Sequence, residues 1–135
     1  MGAKRKTPAF LDTSAIYAIA DADDAGHCRC LEIYRRTPRF LCHGAVLLES
    51  FSLLCKRIHK QAAVTVMSAI RTSPRIEVVH VDPPLLAAGW ERAVRFDDKE
   101  WDWVDCISFE LMERRGLVWA HTMDHHFRQA GFRIM

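Results

Sequence analysis

Pro8-Ala-Phe-Leu-Asp-Thr-Ser-Ala-Ile-Tyr-Ala-Ile-Ala20 reads as strand, turn and helix in quick succession. A short apolar run ends at Leu11, Asp12-Thr-Ser14 supplies turn and capping side chains, and Ala15 to Ala20 has the content of a buried helix. The same alternation continues outward. Asp23 to Arg36 begins acidic and ends in two arginines, matching a helix dipole, until Thr37-Pro38 stops it. Arg39 to Cys42 predicts a second strand. Ala45 to Lys60 is a strongly apolar helix with a basic end, and another helix spans Ala62 to Arg71 before Ser73-Pro74. Ile76 to Val81 is rich in β-branched residues and predicts a strand, after which Asp82-Pro-Pro caps a helix reaching Val94. Asp97 to Glu100 is a charged loop. Trp101 to Arg115 predicts a buried helix closed by Gly116, Leu117 to Ala120 a strand, and Phe132 to Ile134 a last one.

Strands that alternate with helices predict an α/β fold, a parallel sheet with helices on both faces and right-handed crossovers. Ligands of such sheets sit beyond the carboxyl ends of the strands. With 135 residues, half of them hydrophobic and 27% charged, the chain suits one compact domain over 1–135, with residues 1–7 as a basic, flexible leader. No apolar stretch reaches the ~20 residues of a membrane span and no signal core follows the leader, so the expected compartment is the cytoplasm. The five cysteines are odd in number and lack C-x-x-C spacing, which predicts reduced thiols. Net charge is +2; setting four carboxylates aside as a metal-neutralised group leaves 19 basic against 13 acidic residues, a body that permits but does not demand an RNA partner.

Four acids stand where acids are costly or well placed for chemistry. Asp12 follows the first strand, where it serves equally as a helix cap or as a ligand. Glu49 lies in Ala45-Val-Leu-Leu-Glu-Ser-Phe-Ser-Leu-Leu54, among apolar residues and serines. A buried carboxylate needs a partner, and the plainer reading is an amphipathic stripe neutralised by Lys56. Asp105 sits in a helix with large apolar groups nearly all round, and Asp102 is better placed to complement the helix dipole. Asp124 follows the Leu117–Ala120 strand and would pass as a helix N-cap.

Taken together, two acids follow strands at the carboxyl edge and two lie on helices that can reach it. Four clustered carboxylates cannot all stay ionised without a cation. Hard oxygen donors of this kind select Mg²⁺ or Mn²⁺, which polarise a phosphodiester and generate a hydroxide nucleophile. Thr13, Ser14 and Thr122 are candidates to orient the carboxylates from behind. His121, His125 and His126 read as surface or capping residues rather than ligands.

Several of these segments resemble motifs of the PIN domain nucleases, and among them the VapC-type toxin ribonucleases. Phe10-Leu-Asp-Thr-Ser-Ala15 is similar to the first acidic motif, Leu48-Glu-Ser50 to the helix-borne glutamate, Asp105-Cys-Ile-Ser-Phe109 to the third motif, and Thr122-Met-Asp-His-His-Phe127 with Ala130-Gly-Phe132 to the last. The resemblance spans nearly the whole chain. It implies a three-layer α/β/α sandwich with a central, mostly parallel sheet, a Mg²⁺ or Mn²⁺ site, endoribonuclease activity on structured RNA, a homodimer, and a cognate antitoxin protein. Asp12, Glu49, Asp105 and Asp124 carry over as the catalytic, metal-binding acids. The chain departs from the pattern at Val104, where a hydroxyl residue often stands, and at Asp102, which adds a carboxylate; both bear on the surroundings of the metal.

Two other readings compete. Asp124-His-His also resembles the tripeptide of the DHH phosphoesterases, but those are longer chains with further aspartate motifs, and Asp12-Thr-Ser14 lacks the second Asp of aspartyl-phosphate phosphatases. A catalytically silent PIN-like module that binds RNA or protein is the remaining alternative, and the presence of all four acids counts against it.

Overall fold

The computed structural model describes residues 7–135, and the Lys4-Arg-Lys6 part of the expected leader lies outside them. Among the described residues the chain forms β1 (Ala9–Leu11), α1 (Thr13–Ala20), α2 (His27–Arg36), β2 (Phe40–His43), α3 (Gly44–Arg57), α4 (Lys60–Thr72) and β3 (Ile76–Val79). It continues with α5 (Pro83–Arg95), α6 (Trp103–Arg115), β4 (Trp119–His121), α7 (His126–Gln129) and β5 (Arg133–Ile134). The sheet order is β3-β2-β1-β4-β5 and all four pairings are parallel.

Moving outward from β1 to β3, right-handed crossovers put α1 to α4 on one face; the return through β4 to β5 puts α5 to α7 on the other. The contacts α1 with α2 and α3, α3 with α4, and α5 with α6 follow this division. This is the expected three-layer α/β/α sandwich. The order reverses between β1 and β4, so the crevice beyond their carboxyl ends is the place where such a sheet binds a ligand. Asp12 follows β1 there, and Thr122 to Asp124 follow β4.

Strand residues alternate between the layers. Phe40 stacks on Tyr34 of α2, with ring centroids 5.4 Å apart, while Phe10 points the other way, to Phe127 of α7 at 5.8 Å. Phe109 of α6 closes that second layer with edge-on contacts to Trp101 (5.1 Å) and Phe127 (5.0 Å). Helix α6 is apolar on nearly every side because the sheet, α5 and α7 surround it. At Gly89 of α5 an added Cβ would come within 2.6 Å of Ile107 Cγ1 and 3.0 Å of the Ile107 amide nitrogen, so the missing side chain is what lets α5 and α6 approach.

Element types agree with the sequence reading, and several boundaries move for local reasons. Helix α2 starts at His27, not Asp23: the Asp24 side chain accepts a hydrogen bond from Gly26 N at 2.8 Å and holds the acidic stretch in a turn. The Ala45–Lys60 helix ends at Arg57, because His59 turns out to be the N-cap of α4, accepting from Ala62 N at 3.0 Å. Helix α6 begins at Trp103 because Asp102 is its N-cap, and Gly116 ends it in the left-handed region with φ 65°. The five cysteines are free thiols.

Candidate active site

Each predicted acid is delivered by a different element. Asp12 is the N-cap of α1 and is almost fully buried. Its Oδ2 accepts from Ser14 Oγ at 3.0 Å and from Thr122 Oγ1 at 2.8 Å. Thr122 Oγ1 in turn accepts from Asp124 N at 2.9 Å, and Ser14 Oγ accepts from Met123 N at 2.9 Å. These bonds staple the ends of β1 and β4 together. Burial pushes the Asp12 pKa up, and the Thr122 and Ser14 hydroxyls pull against that rise.

Glu49, on α3, is half-buried. Its pKa is raised by burial first, with the charges of Asp102, Asp12 and Asp124 adding to it. No ion pair joins it to Lys56 among the described residues, so the neutralised-stripe reading fails; Arg57, one position on, lines the cavity instead. The Thr13 hydroxyl is close enough to Glu49 to oppose the rise. It makes no hydrogen bond of normal geometry, however, and remains a buried, unpartnered oxygen.

Asp105 completes a capping box: Asp102 Oδ1 accepts from Asp105 N at 2.8 Å, and Asp105 Oδ2 accepts from Asp102 N at 3.4 Å. Asp102 is therefore the helix cap that the dipole argument expected, and Asp105 is left free to face the cavity. Burial, followed by the charges of Asp102 and Asp124, raises the Asp105 pKa to about 7. Asp124 Oδ1 accepts from His126 N at 2.9 Å.

One cavity of about 270 Å³ is lined by Asp12, Glu49, Asp105 and Asp124 together with Thr13, Ser14 and Asp102; Thr122 stands behind it, bonded to Asp12. The sequence reading missed four neighbours. His126 Nδ1 lies 3.1 Å from Asp105 Oδ2 and 3.3 Å from Asp124 Oδ1, so this histidine belongs to the site after all. His126 stands behind these two acids, whereas Tyr17, Asp24 and Arg57 line the cavity itself. Arg57 packs over the Tyr17 ring at 5.1 Å, and Tyr17 Oη donates to Asp21 at 2.6 Å. The pairing of His126 with two acids had a weak signal, its place two residues after Asp124; Tyr17, Asp24 and Arg57 had none. His121 is not the surface or capping residue expected: it is buried at the end of β4, with Nε2 against Cys30 O at 2.9 Å. His125 is on the surface as expected, yet it offers a ligand atom within 4.8 Å of those of Asp124 and His126.

Oxygen donors crowd into a space where burial, then neighbouring negative charge, raises the pKa values of Asp12, Glu49 and Asp105, and a buried hydroxyl there lacks a partner. That donor set fits a hard divalent cation. The model of the PIN domain matches residues 9–133.

The chain belongs to the PIN domain family.

This PIN domain is 36% identical over 124 residues to the 23S rRNA-specific endonuclease VapC20 of Mycobacterium tuberculosis, covering 91% of this chain and 94% of that protein. The crystal structure of M. tuberculosis VapC20, described as a sarcin-ricin loop cleaving toxin, superposes with a TM-score of 0.87 at 35% identity, over 92% of this chain and 95% of that one. Two more distant structures share the fold. VapBC2 from Rickettsia felis, bound to a DNA fragment from its promoter, has a TM-score of 0.68 at 11% identity, over 96% of this chain and 98% of that one. FitAcB from Neisseria gonorrhoeae has a TM-score of 0.68 at 14% identity, over 93% and 95%. PIN nucleases depend on divalent metal, in keeping with the acidic cavity.

Proposed function

We propose that this PIN domain is a Mg²⁺- or Mn²⁺-dependent endoribonuclease and the toxin of a type II toxin-antitoxin pair, with the sarcin-ricin loop of 23S rRNA as its substrate. The observation that carries the reading is the convergence of Asp12, Glu49, Asp105 and Asp124 on one cavity. The likeness to VapC20 over nine-tenths of both chains supports the choice of RNA.

In this reading the four carboxylates hold the metal. When bound, the divalent cation supplies Lewis-acid polarisation and charge neutralisation at the phosphodiester. Ser14 and Thr122 fix the Asp12 carboxylate, so that little reorganisation is left for the moment of binding. His126 presents its Nδ1 proton to Asp105 and Asp124 and sets their relative orientation. Thr13 brings an uncommitted buried hydroxyl to the same cavity, and Asp102 holds Asp105 through the capping box.

The chain works as a single domain in the cytoplasm; among the described residues no helix is long and apolar enough to cross a membrane. It pairs with a second copy and with a cognate antitoxin. Self-association is supported by exposed apolar side chains that meet around the β3 edge of the sheet: Leu48, 73% exposed, and Val64 share one cavity with Leu86 of α5, and Leu86 shares the next with Trp90, 54% exposed, and Trp103 of α6.

Induced expression of the wild type beside Asp12→Ala, followed by mapping of RNA 5′ ends, tests the reading. New ends in the sarcin-ricin loop confined to the wild type are expected. Purified protein that neither cleaves RNA with Mg²⁺ or Mn²⁺ nor gives heat on metal titration would sink it.

A further inference from the structure

Beside the acidic cavity the surface changes sign. Met123 forms part of the cavity wall and also borders a cleft of about 320 Å³ that holds Arg29, His125 and Arg128. Through Arg29, Ile33, Ile134 and Met135, which line both, this cleft opens into a trough of about 870 Å³ with Arg36 and Arg39 in its walls. The two make one channel. It starts beside Thr122 and Met123 at the carboxyl edge of the sheet and follows α2 to Ala9 and Trp119 at the opposite edge.

Charge along the channel is one-sided. Glu32 is its one acidic side chain, and an exposed contact of 3.7 Å ties it to Arg36. Arg29, Arg39 and Arg128 are exposed and form no ion pair among the described residues, whereas Arg92 and Arg115 elsewhere are each held by carboxylates. Unpaired guanidinium groups in a row are suited to phosphate oxygens, which they bind through forked N–H donors. The half-buried Ile134 and Met135 between them offer apolar surface to a ribose or base. A free acidic peptide would match the arginines but would have no reason to enter the neighbouring carboxylate cavity. A phosphodiester chain matches both, with one phosphate at the cation-loaded acids and the next ones on the arginines.

We propose that this channel carries the RNA backbone on one side of the scissile phosphate, with Arg29 and Arg128 nearest the cut and Arg36 and Arg39 farther along. The assignment rests on the nuclease reading above and names the surface that positions its substrate.

The test is fluorescence anisotropy with a labelled single-stranded RNA in EDTA, where nothing is cleaved, across a salt series. Arg29→Gln with Arg128→Gln is compared with Arg35→Gln and Arg114→Gln, exposed arginines of equal charge outside the channel. For the channel pair, the slope of log K against log salt should fall in magnitude by roughly 1.4, about 0.7 for each lost phosphate contact. The control pair should leave it unchanged. Equal losses from both pairs, or none from the channel pair, overturn the proposal. So does unchanged RNA binding with loss of binding to a poly-glutamate peptide, which would make the channel a protein-docking surface. Mn²⁺ calorimetry on the same proteins separates the two readings. Metal binding by all of them with an unaltered salt slope sinks the channel alone, while no metal binding even in the wild type sinks the nuclease reading.

Discussion

Thr122 Oγ1 donates to Asp12 Oδ2 across 2.8 Å although 110 residues separate the two in the chain. The same hydroxyl accepts from the Asp124 amide, so one side chain orders acids at the ends of two adjacent strands. Its removal should reach the proposed metal site without touching any acid.

Thr122→Val is expected to weaken Mn²⁺ binding by about 10–100-fold, the usual cost of losing support behind a metal ligand. A stability loss of about 1–3 kcal/mol should accompany it, because a buried carboxylate and an amide lose their partner. Thr122→Ser should restore most of both. Calorimetric titration and urea unfolding check these values; an unchanged Mn²⁺ affinity in the valine variant would show that Asp12 needs no such support.

The Asp105 carboxyl, raised to about 7 by burial and its acidic neighbours, sets a pH dependence in the metal-free protein. Its folded pKa lies above the unfolded one, so the charged form is disfavoured by folding: the penalty is absent below about pH 4 and complete above about pH 7. Asp105→Asn should therefore stabilise the metal-free protein by about 2 kcal/mol near pH 8 and leave it unchanged near pH 4, while RNA cleavage is lost. Metal binding to the wild type should release a proton below about pH 7, seen as a buffer-dependent heat. A destabilised Asn variant at pH 8 would instead mark Asp105 as a structural partner of His126.

His43 gives the opposite slope. It is fully buried, its Nε2 is 2.8 Å from Ser108 Oγ, and its Nδ1 accepts from Val46 N as the cap of α3. Burial lowers its pKa to about 4. With the folded pKa below the unfolded one, its contribution of about 3 kcal/mol is present above about pH 6.5 and lost as pH falls toward 4. In an Asp105→Asn background, which removes the Asp105 share of the opposing effect and leaves Asp12 and Glu49 as a constant background, proteins with and without His43→Asn can be compared across that window. Adding His43→Asn, which keeps a capping acceptor, should remove the His43 loss. Urea midpoints over the pH range decide it, and parallel curves for the two proteins would refute the assignment.

Gly89→Ala should destabilise although alanine is the better helix former by about 1 kcal/mol. The added methyl meets Ile107, its backbone included, and overpacking of this kind costs about 1–3 kcal/mol. Gly44→Ala, at a helical site with nothing within 4 Å, is the control expected to be neutral or stabilising. Thermal unfolding of both variants measures the difference, and equal melting temperatures would mean that α5 and α6 can separate freely.

Much of this protein was legible before folding. Periodicity, caps and breakers act over a few residues, so the types of all the major elements and their order could be read directly, and with them the parallel sandwich. Helix starts and ends moved where a side chain bonded the local backbone, as Asp24 and His59 do, while strands β2, β3 and β4 shifted by one or two residues. Asp105 was conspicuous as an acid in an apolar helix, and Asp12, Glu49 and Asp124 joined it by position and by resemblance. What the order of strands decided is who meets whom. Only the reversal at β1 and β4 brings Thr122 to Asp12, His126 to Asp105, and Arg57 and Asp24 to the cavity rim. Those contacts span tens to more than a hundred residues, and the energies that choose them come from burial and charge in the assembled crevice, which no local stretch of chain contains.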